Sequence, residues 1–252
     1  MINLITKGVK SLFKTSYAGH ETPGIKNEVV IITGASRGIG KALAEVLYKN
    51  GARLVLIARG GFSQANSQEF DSKRVLLIKA DITRQVDIKG VIRKTLKKFE
   101  KVDVLINNAG QFIDRPLEKT SAEEYESVIA TNIKGTFLMA KAVIPYMKKQ
   151  RDGLIVNVGS KISRNTNVSP NKVLYATSKY AVEGFSFALN KELKPFGIRV
   201  TCLMPGTVNT FASLKSRQYL SPYDVAELIL MIIKFKNIDF ESIVFKSKAQ
   251  NI

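Results

Sequence analysis

Residues Val29-Val30-Ile31-Ile32 run without a break into Thr33-Gly34-Ala35-Ser36-Arg37-Gly38-Ile39-Gly40, and a helical pattern opens at Ile39. No other stretch restricts the fold as strongly. A run of β-branched residues with no polar alternation suits a strand buried on both faces, as in a parallel sheet covered by helices. Glycines let the chain turn sharply and bring a helix N-terminus to the strand's carboxyl end. The free N–H groups and positive dipole end of that helix make a phosphate site, and a nucleotide pyrophosphate fits it. The spacing is G-x-x-x-G-x-G, not the common G-x-G-x-x-G, so the turn alone leaves an ordinary βα connection open.

The pattern then repeats. Apolar runs at Arg53–Ala58, Val75–Ala80, Val102–Ile106, Leu154–Val158 and Arg199–Met204 read as strands, and Ile243–Phe245 can close the sheet. Residues 60–70 read as a loop with at most one short helix. Thr83 is placed to cap a helix running towards Phe99. Ser121 and Glu124 have capping-box spacing at the head of a long helix to about Lys149, with Pro145 expected to kink it or begin a separate turn. Another helix begins near Leu174 and stops around Pro195-Phe196-Gly197. Ser221-Pro222-Tyr223-Asp224 opens one more, to about Phe235. Strands joined by helical crossovers predict an α/β fold: a doubly wound, Rossmann-like, mostly parallel seven-stranded sheet with helices on both faces, forming one domain over residues 27–252. In such a sheet the ligand crevice lies beyond the strands' carboxyl ends. Thr33-Gly34, Arg59, Asp81, Asn107 to Gly110, Ser160 and Pro205-Gly206 all follow strands.

Residues 1–26 stand outside this pattern as an N-terminal extension and linker. Ile2, Ile5, Val9, Leu12 and Phe13 recur at helical spacing among lysines, and no acid precedes Glu21. A basic amphipathic helix of this kind packs on its own domain, carries a targeting signal, or lies on an anionic membrane through residues 1–14. The net charge of +18 raises the local concentration of anions generally. Its lysines and arginines are spread along the chain, as at Arg93, Lys94, Lys97 and Lys98, and do not gather in one recognition element, so no nucleic-acid partner is expected. Cys202 stands alone and His20 has no partner cluster, so neither a disulfide nor a metal is expected. No apolar run approaches the roughly 18 residues of a membrane span, and a soluble, cytoplasmic protein is predicted.

Tyr175-Ala176-Thr177-Ser178-Lys179 places a phenol and an ammonium on one helix face. A nearby ammonium, or a cationic nicotinamide ring, favours the phenolate and pulls the tyrosine towards proton exchange at neutral pH. With Ser160 after the fifth strand and Asn132 in the long helix, the set resembles that of the classical short-chain dehydrogenases/reductases. The matching motifs are Thr33 to Gly40, Asn107 to Gly110, Ser160, Tyr175, Lys179 and Pro205 to Thr210, in that family's order over residues 28 to about 245.

The resemblance implies roles. Tyr175 would be the general acid in carbonyl reduction and the base in reverse. Lys179 would lower its pKa and bond the nicotinamide ribose. Ser160 would donate to the substrate oxygen, and Asn132 would hold a water linking Lys179 to solvent. Gly34, Ser36, Gly38, Ile39 and Gly40 would form the pyrophosphate turn. Asp81 and Ile82 would flank the adenine, and Asn107, Ala109 and Gly110 would lie along the adenosine side. In Pro205-Gly206-Thr207-Val208-Asn209-Thr210, Val208 and Thr210 would fix the nicotinamide carboxamide.

The second strand ends at Ala58 where a carboxylate would select NAD(H), and Arg59 follows. Arg37 is a second guanidinium within reach of a 2′-phosphate, so NADP(H) is expected over NAD(H). Two departures stand out. Ser160 precedes Tyr175 by fifteen residues, longer than the family's usual gap, and Ser163 has the more familiar spacing. The segment between Thr210 and Ser221 is short for a substrate lid, so the pocket is either more open or completed by a partner subunit or the N-terminal segment. The expected activity is NADPH-dependent reduction of a ketone or aldehyde, with an acyl-thioester carbonyl such as a 3-oxoacyl group first among small-molecule substrates. A homodimer or homotetramer through the helices at 121–149 and 171–196 is implied. The alternative is a non-catalytic nucleotide-sensing or protein-binding scaffold on the same fold.

Overall fold

The computed structural model describes residues 24–63, 70–164, 168, 170–210 and 218–249. The amphipathic pattern of residues 2–13 and His20 lie outside these, as does most of the segment between Thr210 and Ser221. Seven strands form one parallel sheet: β1 (Val29–Thr33), β2 (Arg53–Ala58), β3 (Val75–Lys79), β4 (Val104–Asn107), β5 (Gly153–Val158), β6 (Ile198–Pro205) and β7 (Ser242–Phe245). Their order is β3-β2-β1-β4-β5-β6-β7. Every pairing is parallel, with Ile31 beside Val55 on one side and Leu105 on the other. The order reverses between β1 and β4, and a crevice opens at that switch point.

All five residues of β1 are fully buried, as an unbroken β-branched run requires. Val30 and Ile32 join a core layer with Leu43, Leu47, Val225 and Ile229, contributed by α1 (Gly38–Lys49) and the helix Pro222–Lys234. Val29 and Ile31 face the opposite layer, with Ile88, Val91, Met139, Val143 and Leu189. Burying each such side chain is worth about 1.5–3 kcal/mol, so the sheet is clamped from both faces. Ile25 already belongs to the first layer, two residues ahead of the boundary read from the sequence.

The helices of the second face depart from the sequence reading in two places. α2 (Gln85–Phe99) starts at an Arg84 cap without a side-chain bond. Thr83 is no cap, because its N–H and hydroxyl both donate to Asp81 Oδ1, at 2.9 and 2.8 Å. The long helix is three pieces: α3 (Ala122–Ile129), a π-helical turn (Ala130–Gly135) and α4 (Thr136–Gln150). Its capping box forms as expected, with Ser121 Oγ accepting from Glu124 N–H and Glu124 accepting from Ser121 N–H. α4 continues through Pro145 without a break. The break comes earlier, at the turn holding Asn132. By length and composition the stretch Ala122–Gln150 is apolar enough to cross a membrane. Of that stretch Met139, Ala140, Val143 and Met147 are fully buried against the sheet, while Tyr125, Phe137 and Tyr146 are exposed. α5 (Val173–Leu193) lies beside it, and α6 (Pro222–Lys234) opens on the Ser221 capping box.

Candidate active site

The glycine turn is held by its neighbour strand. Thr33 Oγ1 accepts from the N–H groups of Asn108 and Ala109, both at 3.0 Å, and Asn108 Nδ2 donates to the carbonyls of Thr33 and Gly34. Gly34 has φ +66°, and an added Cβ would stand 2.9 Å from Ala109 Cα. At Gly40 a Cβ would meet the Gly34 carbonyl oxygen at 2.2 Å, so only glycine lets α1 start this close to β1. Gly38, at φ +56°, faces Thr210, whose Cγ2 would be 3.2 Å from an added Cβ. The turn and the Pro205–Thr210 segment thus flank one cleft. Gly206 N–H donates to Phe245 O at 2.7 Å, and Val208 bridges to Leu220.

Arg37 caps α1 through extended backbone with its side chain exposed, and Arg59 is exposed after β2. Asp81 follows β3. Burial opposes its ionisation, but the two Thr83 bonds and the charges of Arg59 and Arg84 outweigh that and hold its carboxyl below the usual range. Ile82 is buried, and its side chain packs where a Cβ on Gly135 of the π turn would fall. The Asn107 side chain turns into the sheet, its Nδ2 donating to Asn157 Oδ1 at 2.9 Å, while Asn157 Nδ2 donates to Ser186 Oγ. Among the described residues Asn107 Oδ1 is buried without a hydrogen-bond partner.

The catalytic candidates gather at the ends of β4 and β5. The Ser160 side chain lies beside the Tyr175 phenol, close enough to favour its ionised form. Ser163 does not compete for it: its hydroxyl is buried, donates to Ser160 O at 3.0 Å and reaches Met204 Sδ at 3.4 Å. Burial pushes the Tyr175 phenol up, and the Ser160 side chain pulls it partly back. The direction is opposite to the lowering expected from Lys179. Lys179 Nζ stands 5.7 Å from the centre of the Tyr175 ring and donates to Val158 O at 2.8 Å. Burial brings its ammonium down to about 8, with the neighbouring Cys202 acting weakly the other way. Tyr175 is therefore a neutral phenol at pH 7, and Lys179 is still charged but close to releasing its proton.

Asn132 is fully engaged. Its Oδ1 accepts from Gln111 N–H at 2.7 Å, and Nδ2 donates to Gln111 O and Ser178 Oγ at 3.0 and 2.9 Å. Ser178 in turn donates to Tyr175 O at 2.7 Å. The π turn is thereby latched to α5 beside the tyrosine. Gly110 lies between: the position of its absent Cβ is 3.5 Å from Asn132 Oδ1 and 3.7 Å from Lys179 Nζ. Two residues escaped the sequence reading. Gln111 is the partner of Asn132, and Phe112 packs edge-on against Tyr175 at 4.9 Å while 55% exposed. An exposed aromatic directly after the Asn107–Gly110 motif was the available signal. Cys202 is buried beside Gly159, and burial raises its thiol to about 11, so it is chemically quiet. Among the described residues no three His, Cys, Asp or Glu side chains converge as metal ligands.

Comparison with known proteins agrees with this geometry. The family model described as short chain dehydrogenase matches residues 28–220. An uncharacterized oxidoreductase of Staphylococcus saprophyticus is 34% identical over 218 residues, covering 83% of this chain and 92% of that protein. One from Staphylococcus aureus is 32% identical over 211 residues, covering 82% and 90%. Among solved structures, the 3-ketoacyl-(acyl-carrier-protein) reductase of Brucella melitensis, complexed with NADH, superposes with TM-score 0.79 at 27% identity, over 90% of this chain and all of that one. An alcohol dehydrogenase of the archaeon Thermococcus sibiricus, complexed with 5-hydroxy-NADP, gives 0.81 at 26%, over 90% and 99%. With the sheet order, the glycine turn and the Ser160, Tyr175 and Lys179 cluster in place, the chain belongs to the short-chain dehydrogenase family of oxidoreductases.

Proposed function

We propose that this enzyme reduces a ketone or aldehyde to an alcohol, with NADPH as hydride donor and Tyr175 as proton donor. The observation that carries the reading is the Ser160 hydroxyl beside a neutral Tyr175 phenol, with the Lys179 ammonium buried behind it. A general acid must hold its proton until charge develops on the acceptor; a phenol does so at neutral pH, and burial of Tyr175 strengthens that hold. Ser160, freed to bond a carbonyl oxygen, supplies an oriented donor where negative charge grows. The Lys179 ammonium stabilises the negative charge that develops on the phenol oxygen as its proton passes to the substrate. The gap beside Gly110, between Asn132 Oδ1 and Lys179 Nζ, suits a water returning protons to that site.

The cleft fits a nicotinamide dinucleotide. A Cβ on Gly38 would crowd Thr210 at the edge of the cleft, and the free N–H groups at the start of α1 would donate to the cofactor's phosphates. When bound, the cofactor supplies the hydride. Gly34, Ser36, Ile39 and Gly40 would line its pyrophosphate; Asp81, Ile82, Ala109 and Gly110 the adenosine side; Pro205, Gly206, Val208 and Thr210 the nicotinamide. Arg37 and Arg59, both exposed with no carboxylate at Ala58, support NADPH. Likeness to a 3-ketoacyl-(acyl-carrier-protein) reductase supports a 3-oxoacyl thioester as the first substrate to assay. A groove lined by Ile129, Ile133, Phe137, Val182 and Phe185 on α3, the π turn, α4 and α5 supports pairing with a second copy there. A monomer mass in sedimentation velocity would remove that part. The catalytic reading is tested by NADPH oxidation over acyl thioesters, ketosteroids, sugars and diketones. NADPH should exceed NADH in kcat/KM by at least about tenfold, and Arg37→Ala with Arg59→Ala should erase the difference. A wild-type preference for NADH contradicts the cofactor assignment.

A further inference from the structure

Glu183 lies on the face of α5 that carries Tyr175 and Lys179, continuing their spacing of four residues, and is only 7% exposed. A carboxylate withdrawn from water needs a compensating charge. Arg164 supplies it, with Nε 2.5 Å from Glu183 Oε1 and the guanidinium 5.6 Å from the Phe187 ring centre, one turn further along. Arg164 ends the 3-10 turn Lys161–Arg164, which leaves directly from Ser160.

That turn shapes the serine. Ile162 N–H donates to Ser160 Oγ at 3.3 Å, and Ser163 Oγ donates to Ser160 O. The Ile162 bond occupies one Ser160 lone pair and leaves the hydroxyl proton and the second lone pair for the Tyr175 phenol beside it. The orientation lasts only while the turn keeps its place against α5, and the Arg164–Glu183 pair fastens the turn's far end to that helix.

We infer that Glu183 and Arg164 are positioning residues, clamping the turn so that the Ser160 hydroxyl meets the Tyr175 phenol. The inference rests on the catalytic reading above. One helix face then sets the acid, its cation and the anchor of the third group in register. Neither Glu183 nor Arg164 touches the reacting atoms.

The test is a double-mutant cycle on Glu183→Gln and Arg164→Met, each alone and with Ser160→Ala, reading kcat, the Kd for NADPH and the thermal midpoint. Each single change should lower kcat about tenfold and leave the NADPH Kd within about twofold. In the Ser160→Ala background the same changes should cost less than about twofold, since the hydroxyl they aim is gone. Lys191→Met, which breaks the exposed Lys191–Glu241 pair on the same helix, should leave kcat unchanged. Arg164 is exposed, so its variant folds even if the buried Glu183→Gln change perturbs stability. A folded Arg164→Met enzyme with wild-type kcat, or a tenfold loss that persists without Ser160, overturns the inference alone. Turnover that survives Tyr175→Phe overturns the catalytic reading and the inference with it.

Discussion

At Lys179 burial and chemistry pull in opposite directions. The ammonium keeps a carbonyl bond to Val158, yet its pKa falls to about 8 from the ordinary 10.5 because the side chain is buried. Below about 8 both folded and unfolded chains carry the proton, and the folded state bears the full cost of a buried charge. Between about 8 and 10.5 the unfolded chain holds more protons, so the contribution of Lys179 to stability rises with pH. Thermal midpoints of the wild type and Lys179→Met at pH 7 and pH 10 should therefore diverge in the wild type's favour at the higher pH, by about 5–10 °C. A pH-independent difference would show that the ammonium is not desolvated. The Tyr175–Lys179 pair was legible because helical spacing alone puts both on one face. The choice between Ser160 and Ser163 was not, since spacing says nothing about which hydroxyl a 3-10 turn points inward. The Ser163 hydroxyl bonds the Ser160 carbonyl and Met204 Sδ, which favours Ser160. Nor does spacing reveal that Asn107 shares its strand-end level with Asn157 and that their side chains pair across the sheet.

Two elements carry the site, and only one announced itself. The glycine turn was readable because each of its glycines has a steric reason. Gly40→Ala would force a methyl against the Gly34 carbonyl and should lower unfolding free energy by about 1–3 kcal/mol while weakening NADPH binding. Gly90 in α2 has open space where a Cβ would go, so Gly90→Ala should instead stabilise by about 0.5–1 kcal/mol. Urea midpoints of the two variants measure both, and a matching shift for each would contradict the steric account. The π turn was invisible. Its capping box and apolar spacing are those of one continuous helix, and the extra residue shows only when Asn132 reaches both Gln111 and Ser178. Thr83 shows the same limit, since a hydroxyl near a helix start serves a preceding aspartate as readily as the helix.

Across the whole molecule, alternation of strands and helices made the parallel seven-stranded sheet legible, because parallel strands need crossovers, while the order β3-β2-β1-β4-β5-β6-β7 is given by the structure. That order brings the ends of β1, β4, β5 and β6 to one crevice, where phosphate turn and tyrosine meet. The charge excess stays on outer faces such as that of α2, where Arg93, Lys94, Lys97 and Lys98 are exposed. The central claim is that the crevice is built for chemistry and not for nucleotide binding alone. Tyr175→Phe tests it most directly, because it removes one hydroxyl and keeps the ring that packs on Phe112. The account predicts that carbonyl-dependent NADPH oxidation falls by at least about a thousandfold, with the NADPH Kd within about twofold of the wild type. Unchanged turnover in the Tyr175→Phe enzyme would contradict it.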